Sequence, residues 1–370
     1  MINVKIYYQV MMINRKFPQE IDALTSIRFF LALVVVFAHV KLFFPAYLIL
    51  PRELAQYAVT GFFILSGMIM THVYKRENFS KAGKTSRFYF KRFSRIYPLY
   101  ILPLIMLIPF KLIADRFVSD SLPALHLDYI KNCTWGSFAM QFFGLQSITA
   151  GFAPAQYGWN LPGWSISTEL VFYLFFPFLI PLIKNLNTRF LIMLLTILSA
   201  ISSLTCYWVS SHSIVSETPF VSFFYMNPIS RLVEFTLGMV CYEISLKINI
   251  NFRSLFLFTL VVELLIIFFM PLYILLLAPV FLSLLLSYLL IHNPKFLRVK
   301  FLTLLGHGSY SLYLVHFPIL LYVAVLIQFK LINLSYLSLW LIIIGTIIFS
   351  IICYVYYEKP MTNYLRKKFL

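Results

Sequence analysis

Long apolar runs alternate with short polar segments along the chain. Most runs reach the length of about 20 residues that a helix needs to cross a ~30 Å hydrocarbon core. The pattern predicts an all-α, polytopic transmembrane helical bundle with both termini on the cytoplasmic side. Its ten predicted spans cover residues 24–44, 53–73, 96–116, 164–183, 190–210, 225–246, 254–272, 273–291, 304–328 and 333–356.

The composition supports a membrane protein, since 61% of the 370 residues are hydrophobic and only 12% are charged. No internal repeat or low-complexity tract divides the chain, so we expect one integral-membrane domain over residues 1–370, without an additional soluble domain. The first span is expected to remain as a signal anchor. The four cysteines lack CxxC spacing, which favours core packing over a disulfide framework or a metal site.

The net charge of +17 follows the predicted topology. Of the 30 Lys and Arg residues, 22 fall in the inner segments, six in the outer segments or at the outer ends of spans, and two elsewhere within spans. This asymmetry is the positive-inside pattern of membrane proteins. The charge therefore gives no reason to expect a nucleic-acid partner.

One inner segment is more basic than topology requires. Residues 74–100 ("YKRENFSKAGKTSRFYFKRFSRIYPLY") carry eight basic side chains and one acidic side chain, and they predict an interfacial amphipathic helix leading into the third span. Arg92 and Arg95 share a helix face beside Lys91, and paired guanidinium groups suit phosphate. Two interpretations stay open, which are binding of anionic lipid headgroups and binding of an anionic cosubstrate.

Two ionisable groups lie in the first span. Arg28 and His39 are eleven positions apart, which places them on one helix face about 16 Å from each other. With Arg28 at the inner interface, His39 lies past the middle of the membrane, where ionisable groups are candidates for function. The alternative is a neutral histidine that hydrogen-bonds to a neighbouring helix.

A carboxylate in the fourth span is the predicted partner of His39. Trp164 is taken as the outer-interface residue, and Glu169 follows five positions later, about 7 Å deeper. This places Glu169 near the depth of His39, where it could orient the imidazole of a histidine base. A structural hydrogen bond is the alternative.

Other polar residues of the spans are candidates for lining a substrate site, namely Ser66, Trp164, Ser165 and His316. Small-residue packing is the alternative for the segment around Ser66, with Gly61 and Gly67. His316 is a rival base, or a packing residue near the kink at Pro318. Three further features are Arg231 paired with Glu234 at i and i+3, Glu263 without an assigned role, and a short re-entrant or interfacial helix within 135–146.

Six segments in order resemble the acyltransferase-3 family of integral-membrane acyltransferases, over about residues 20–366. They are "IDALTSIRFFLALVVVFAH", "FFILSGMIM", "RFYFKRFSRIYPLY", "PGWSISTELVFYLFFP", "RLVEFTLGM" and "GSYSLYLVHFP". The resemblance implies that His39 is the catalytic histidine, Arg28 its partner, Glu169 the acid after PGWS, and Arg92 and Arg95 the pair linked to acyl-CoA. Two departures concern other positions: Asp22-Ala23 replaces aspartate-glycine, and Thr168 stands where many members have valine.

The resemblance implies an O-acyltransferase that moves an acyl group, expected to be acetyl, from cytoplasmic acetyl-CoA to a saccharide hydroxyl. The chain resembles polysaccharide and O-antigen O-acetyltransferases, which implies a location in the bacterial inner membrane. Acyl-CoA is then a cosubstrate, the acceptor is a cell-surface or lipid-linked saccharide, and lipids surround the protein. No bound cofactor is expected, and an acyl-histidine intermediate stays open.

Two hypotheses from other classes stay open. A secondary transporter would use polar residues on several helices as a proton or solute path, but the chain shows no repeated halves and its arginine-rich loop suits a phosphate-bearing cosubstrate better. A membrane scaffold without chemistry would tolerate polar substitutions in the first span. Cleavage of an acyl-CoA thioester separates the three hypotheses.

Overall fold

The computed structural model describes residues 20–47, 53–117, 132–150, 158–212, 219–248, 254–255, 257–262 and 274–370. Within these ranges, all regular structure is helical. Glu263 and most of the predicted span 254–272 lie outside them. The helices are α1 (Asp22–Phe43), α2 (Glu53–Tyr74), α3 (Lys84–Phe117), α4 (Trp135–Phe142), α5 (Gly163–Lys184), α6 (Thr188–Ser211), α7 (Pro219–Met226), α8 (Pro228–Lys247), α9 (Ile274–His292), α10 (Lys300–His307), α11 (Ser309–Gln328), α12 (Tyr336–Cys353) and α13 (Lys359–Phe369).

The predicted polytopic helical bundle is confirmed. Eight helices in the described part of the chain are long and apolar enough to cross a membrane. Helix α8 has 20 residues but is not among these eight, since it carries Arg231, Glu234, Glu243 and Lys247. The short helix predicted within 135–146 is present as α4.

Two predicted spans have wrong starting points because local capping divides them. The span predicted from residue 225 begins at Pro228, since the Asn227 side chain accepts a hydrogen bond from the backbone N–H of Ile229 and ends the preceding α7. The span predicted from residue 304 begins at Ser309, because the chain leaves α10 at Gly308.

The predicted interfacial helix and the third span form one continuous helix, α3, of 34 residues. The helix continues through Pro98, Pro103 and Pro109, although each proline removes a backbone donor. Tyrosine hydroxyls of α11 donate to carbonyls of α3, from Tyr310 to Ile96 at 2.9 Å and from Tyr322 to Met106 at 2.6 Å. The basic N-terminal part of α3 is therefore a direct continuation of a membrane helix.

Helices α2 and α8 cross in backbone contact. A Cβ at Gly67 would overlap the carbonyl of Phe235, and one at Gly238 would overlap the carbonyl of Ile64. This confirms the predicted small-residue packing around Gly67.

The predicted pair of Arg231 and Glu234 is also confirmed. Arg231 Nη1 lies 3.1 Å from Glu234 Oε1, and both side chains are buried. Thr60 of α2 and Ser202 of α6 donate to the same oxygen at 3.0 and 3.1 Å. The pair therefore joins three helices, and its role in the fold is structural.

Candidate active site

A cavity of about 700 Å³ opens at the ends of α1, α2 and α3 that are predicted to face the cytoplasm; we call it the vestibule. Its lining carries two acidic side chains, Glu20 and Glu77, and five Lys and Arg side chains, namely Arg28, Lys91, Arg92, Arg95 and Arg366. The structure thus brings Arg28, predicted as the partner of His39, together with the three basic residues that were predicted to bind the donor. Arg366, from α13, was not predicted, because the positive-inside pattern accounted for it as a topology signal.

The arginines of the vestibule are held by neighbouring groups. Arg92 Nη2 donates to the Tyr74 hydroxyl at 2.6 Å, and its guanidinium lies 4.7 Å from the centre of the Tyr74 ring. Arg92 Nε is buried, and no described residue hydrogen-bonds it. Arg366 donates to the backbone carbonyl of Lys91 at 3.1 Å, which fixes α13 against α3.

The arginine charges of the vestibule repel one another. Arg95 acts unfavourably on Arg28, and both Arg92 and Arg95 act unfavourably on Arg366. A cluster of like charges in a partly enclosed cavity produces a positive potential that attracts anions. Together with the unpartnered Arg92 Nε, this potential makes the vestibule suited to phosphate groups.

A smaller cavity of about 160 Å³ lies next to the vestibule; we call it the upper cavity. Arg28, Arg92 and Arg95 line both cavities, so the two adjoin at these arginines. Three of the predicted residues, Ser66, Ser165 and Glu169, line the upper cavity together with Tyr173 and Tyr313.

Glu169 forms a cluster with two hydroxyl groups. Its Oε1 accepts hydrogen bonds from Ser66 Oγ at 2.7 Å and from the Tyr173 hydroxyl at 2.5 Å. Its charge also attracts that of Arg28. The predicted pairing of Glu169 with His39 is therefore wrong, because Glu169 lies on the side of the vestibule arginines.

The depth estimate used Trp164 as a marker of the outer interface. Its side chain is only 4% exposed, and its ring packs against Tyr225 at 5.0 Å and Phe63 at 6.1 Å. Trp159 and Asn160, which precede it, are buried as well. Trp164 is therefore a packing residue between helices and gives no marker from which the depth of Glu169 can be counted.

His39 pairs with the rival base, His316. The Nδ1 of His39 lies 3.0 Å from the carbonyl oxygen of Val35 and 3.2 Å from Nε2 of His316. The Nδ1 of His316 lies 3.0 Å from the carbonyl oxygen of Leu312. The structure therefore places both candidate histidines in one dyad between α1 and α11.

The hydrogen bonds of this dyad assign both tautomers. A carbonyl oxygen only accepts, so the Nδ1 atoms of His39 and His316 both carry hydrogen. His316 Nε2 is then the acceptor for the N–H of His39. Among the described residues nothing hydrogen-bonds Nε2 of His39, and His39 is half-buried. This nitrogen keeps its lone pair and is the basic atom of the dyad.

Tyr313 connects the upper cavity to the dyad. Its hydroxyl is 2.7 Å from Ser165 Oγ, and its ring centre is 6.2 Å from that of His316. Tyr313 thus lies between the Glu169 cluster and the dyad, although neither histidine is among the residues that line the two cavities.

The acyltransferase domain of the acyltransferase-3 family matches residues 21–358 of this chain. The chain belongs to the acyltransferase-3 family. The chain is also 27% identical over 183 residues to the acyltransferase MdmB of Streptomyces mycarofaciens. The match covers 46% of this chain and 42% of that relative, less than half of its length. No solved structure matches the chain.

A second acidic residue near the vestibule arginines escaped the sequence analysis. Glu358 is buried at the end of a π-helical turn, Tyr354–Glu358, and accepts a hydrogen bond from Ser311 Oγ at 2.8 Å. Its charge attracts those of Arg95 and Arg28. No local pattern in the sequence indicates that Glu358 lies near these arginines, because Glu358, Arg95 and Arg28 are far apart along the chain.

Proposed function

We propose that this membrane acyltransferase takes an acetyl group from cytoplasmic acetyl-CoA and transfers it to a hydroxyl of a lipid-linked or cell-surface saccharide. The observation that carries the proposal is the succession of an arginine-lined vestibule, an adjoining upper cavity and a histidine dyad that Tyr313 connects to this cavity by its side-chain contacts. The phosphates of CoA match the vestibule, since guanidinium groups bind phosphate by bidentate hydrogen bonds. The pantetheine arm then extends through the upper cavity.

In the proposed reaction His39 Nε2 removes the proton from the acceptor hydroxyl. The oxygen attacks the thioester carbonyl carbon, a C–O bond forms, and the C–S bond breaks. The proton on His39 passes to the departing thiolate, which leaves as CoA thiol. General-base catalysis of this kind contributes about 10²- to 10⁴-fold.

Glu169 and Arg28 act on the donor side of this reaction. The carboxylate accepts hydrogen bonds from Ser66 and Tyr173, so the three side chains hold one another at the wall of the upper cavity. The charge of Glu169 in turn stabilises Arg28 between the vestibule and this wall. Arg28 is then placed to guide the anionic donor into the upper cavity.

The saccharide acceptor and the bacterial inner membrane are inferred from the resemblance to polysaccharide and O-antigen O-acetyltransferases. The MdmB relative is described only as an acyltransferase and does not identify the acceptor. Donor from the inner side and acceptor from the outer side would meet at the dyad.

The test has two measurements. Purified protein in lipid nanodiscs should release CoA thiol from acetyl-CoA, and mass spectrometry should find acetylated surface glycans only in cells that carry the gene. Absence of thioester cleavage, with solute uptake into proteoliposomes, would replace the proposal with the transporter hypothesis. Cleavage of the acetyl-CoA thioester with unchanged surface glycans would support acetyl-CoA as the donor and reject a saccharide as the acceptor.

A further inference from the structure

We infer that His316 is a positioning residue for His39, an assignment that rests on the proposed function. It holds the reactive imidazole in one tautomer and one orientation by accepting its Nδ1–H. The juxtaposition that supports the inference is the 3.2 Å separation between His316 Nε2 and His39 Nδ1.

The orientation of His316 is fixed independently of His39. Its Nδ1–H donates to the carbonyl oxygen of Leu312 at 3.0 Å, one turn earlier in α11. The side chain is fully buried, so water does not compete for Nε2. With Nδ1 committed to a carbonyl, Nε2 of His316 is obliged to be an acceptor.

The hydrogen-bond acceptor on His316 determines which nitrogen of His39 acts as the base. An N–H on Nδ1 of His39 is shared by Val35 and His316, and the lone pair is then on Nε2. A tautomer with hydrogen on Nε2 would leave three acceptors facing one another without a proton. In serine-protease triads an aspartate has the same orienting role toward its histidine. Here the acceptor is a neutral imidazole.

The same hydrogen bond gains strength during the proposed reaction. When Nε2 of His39 takes the proton of the acceptor hydroxyl, the ring becomes an imidazolium and its Nδ1–H becomes a charge-assisted donor. His316 therefore favours the protonated base without itself touching the substrate.

The experiment measures the reactivity of His39 directly and needs no acceptor. S-Bromoacetyl-CoA is incubated with the nanodisc protein, and peptide mass spectrometry follows alkylation of His39, in which the ring nitrogen displaces bromide. His316→Leu removes the hydrogen-bond acceptor of the His39 N–H and fills the space of the imidazole. His316→Gln instead offers an amide oxygen near the position of Nε2. Leu314→Ala is the packing control, because Leu314 is buried and lies two positions away, on the opposite side of α11.

We expect the saturating alkylation rate of His316→Leu to fall about 10-fold or more, less than the ~10⁴-fold that follows loss of the charged orienting group in a triad. The half-saturating reagent concentration should not change. His316→Gln should recover most of the rate, and Leu314→Ala should keep the wild-type rate despite lower thermal stability. A wild-type rate in His316→Leu, or equal losses in all three variants, would overturn the inference.

The control with wild-type protein separates the inference from the proposed function. If the reagent leaves His39 of the wild-type protein unmodified, the base assignment fails together with the inference. CoA release from acetyl-CoA then shows whether acyl transfer itself survives. If wild-type His39 is alkylated and His316→Leu reacts equally fast, only the inference fails.

Discussion

Under the proposed function, the reactive atom of the site is a single nitrogen, Nε2 of His39. Its position follows from a short chain of hydrogen bonds, because the carbonyl oxygens of Val35 and Leu312 leave the two imidazoles only one arrangement of protons. His316 cannot replace His39 as the base, since its Nε2 already accepts the N–H of His39. Chemistry at the residue scale therefore depends on one side chain.

We expect His39→Ala to abolish acetyl transfer, with a loss of at least about 10²-fold, while the protein still inserts and accumulates in membranes. The matched control is His212→Ala, since His212 is exposed at the end of α6. Both variants are compared by CoA release and by immunoblot of the membrane fraction. Normal acetylation by His39→Ala would disprove its assignment as base.

Arg92 and Arg95 should act through geometry as well as charge. Replacing both with lysine keeps the charge but loses bidentate phosphate contacts, and charge-assisted hydrogen bonds contribute about 1.5–3 kcal/mol each. The expected result is a KM for acetyl-CoA at least about 10-fold higher, with little change in kcat.

The control for this double variant exchanges Lys81 and Lys84 for arginine, since neither lines the vestibule. Steady-state kinetics at varied acetyl-CoA concentration give both constants. An unchanged KM in the lysine variant would mean that the segment binds only lipid headgroups.

At the scale of elements, the helices that carry the site were largely predictable, and their mutual arrangement was not. The 3.6-residue period placed Arg92 with Arg95 on one face because the argument involved one helix. The Glu169–His39 pairing failed because it needed the relative positions of α5 and α1, which patterns within single helices do not give. His316 and His39 meet across 277 positions, and hydropathy carries no information about such contacts.

The crossing of α2 and α8 should tolerate no side chain at Gly67. Gly67→Ala would place a Cβ against the Phe235 carbonyl, so the helices would have to separate, and overpacking of this kind costs about 1–3 kcal/mol. The thermal unfolding midpoint in detergent should fall clearly. Gly345→Ala is the control, because a Cβ at this exposed glycine of α12 meets nothing within 4 Å. Equal midpoints in the two variants would contradict the close crossing.

At the scale of the whole molecule, the site is polarised along the bundle, with cations at the inner end and the dyad farther inside. The sequence predicted this polarity from the charge asymmetry and from the separation of Arg28 and His39 along one helix. It did not predict that α13 returns to the vestibule, because Arg366 reaches α3 only in the folded chain.

The donor should consequently enter from one side only. In inverted membrane vesicles, whose inner face is outward, added acetyl-CoA should be cleaved at once. Sealed right-side-out vesicles should require permeabilisation, since acetyl-CoA is a membrane-impermeant anion. Release of CoA thiol is the measurement, and cleavage confined to right-side-out vesicles would reverse the assigned topology.

The arginine vestibule has a further consequence under the proposed function. Its cationic groups contact the phosphates, which acetyl-CoA and free CoA share, and the two molecules differ only by two carbons at the far end of the arm. The spent product should therefore compete with fresh donor almost on equal terms. Acetylation of the cell surface would then follow the ratio of acetyl-CoA to CoA in the cytoplasm. The degree of surface acetylation would therefore change with the carbon supply of the cell.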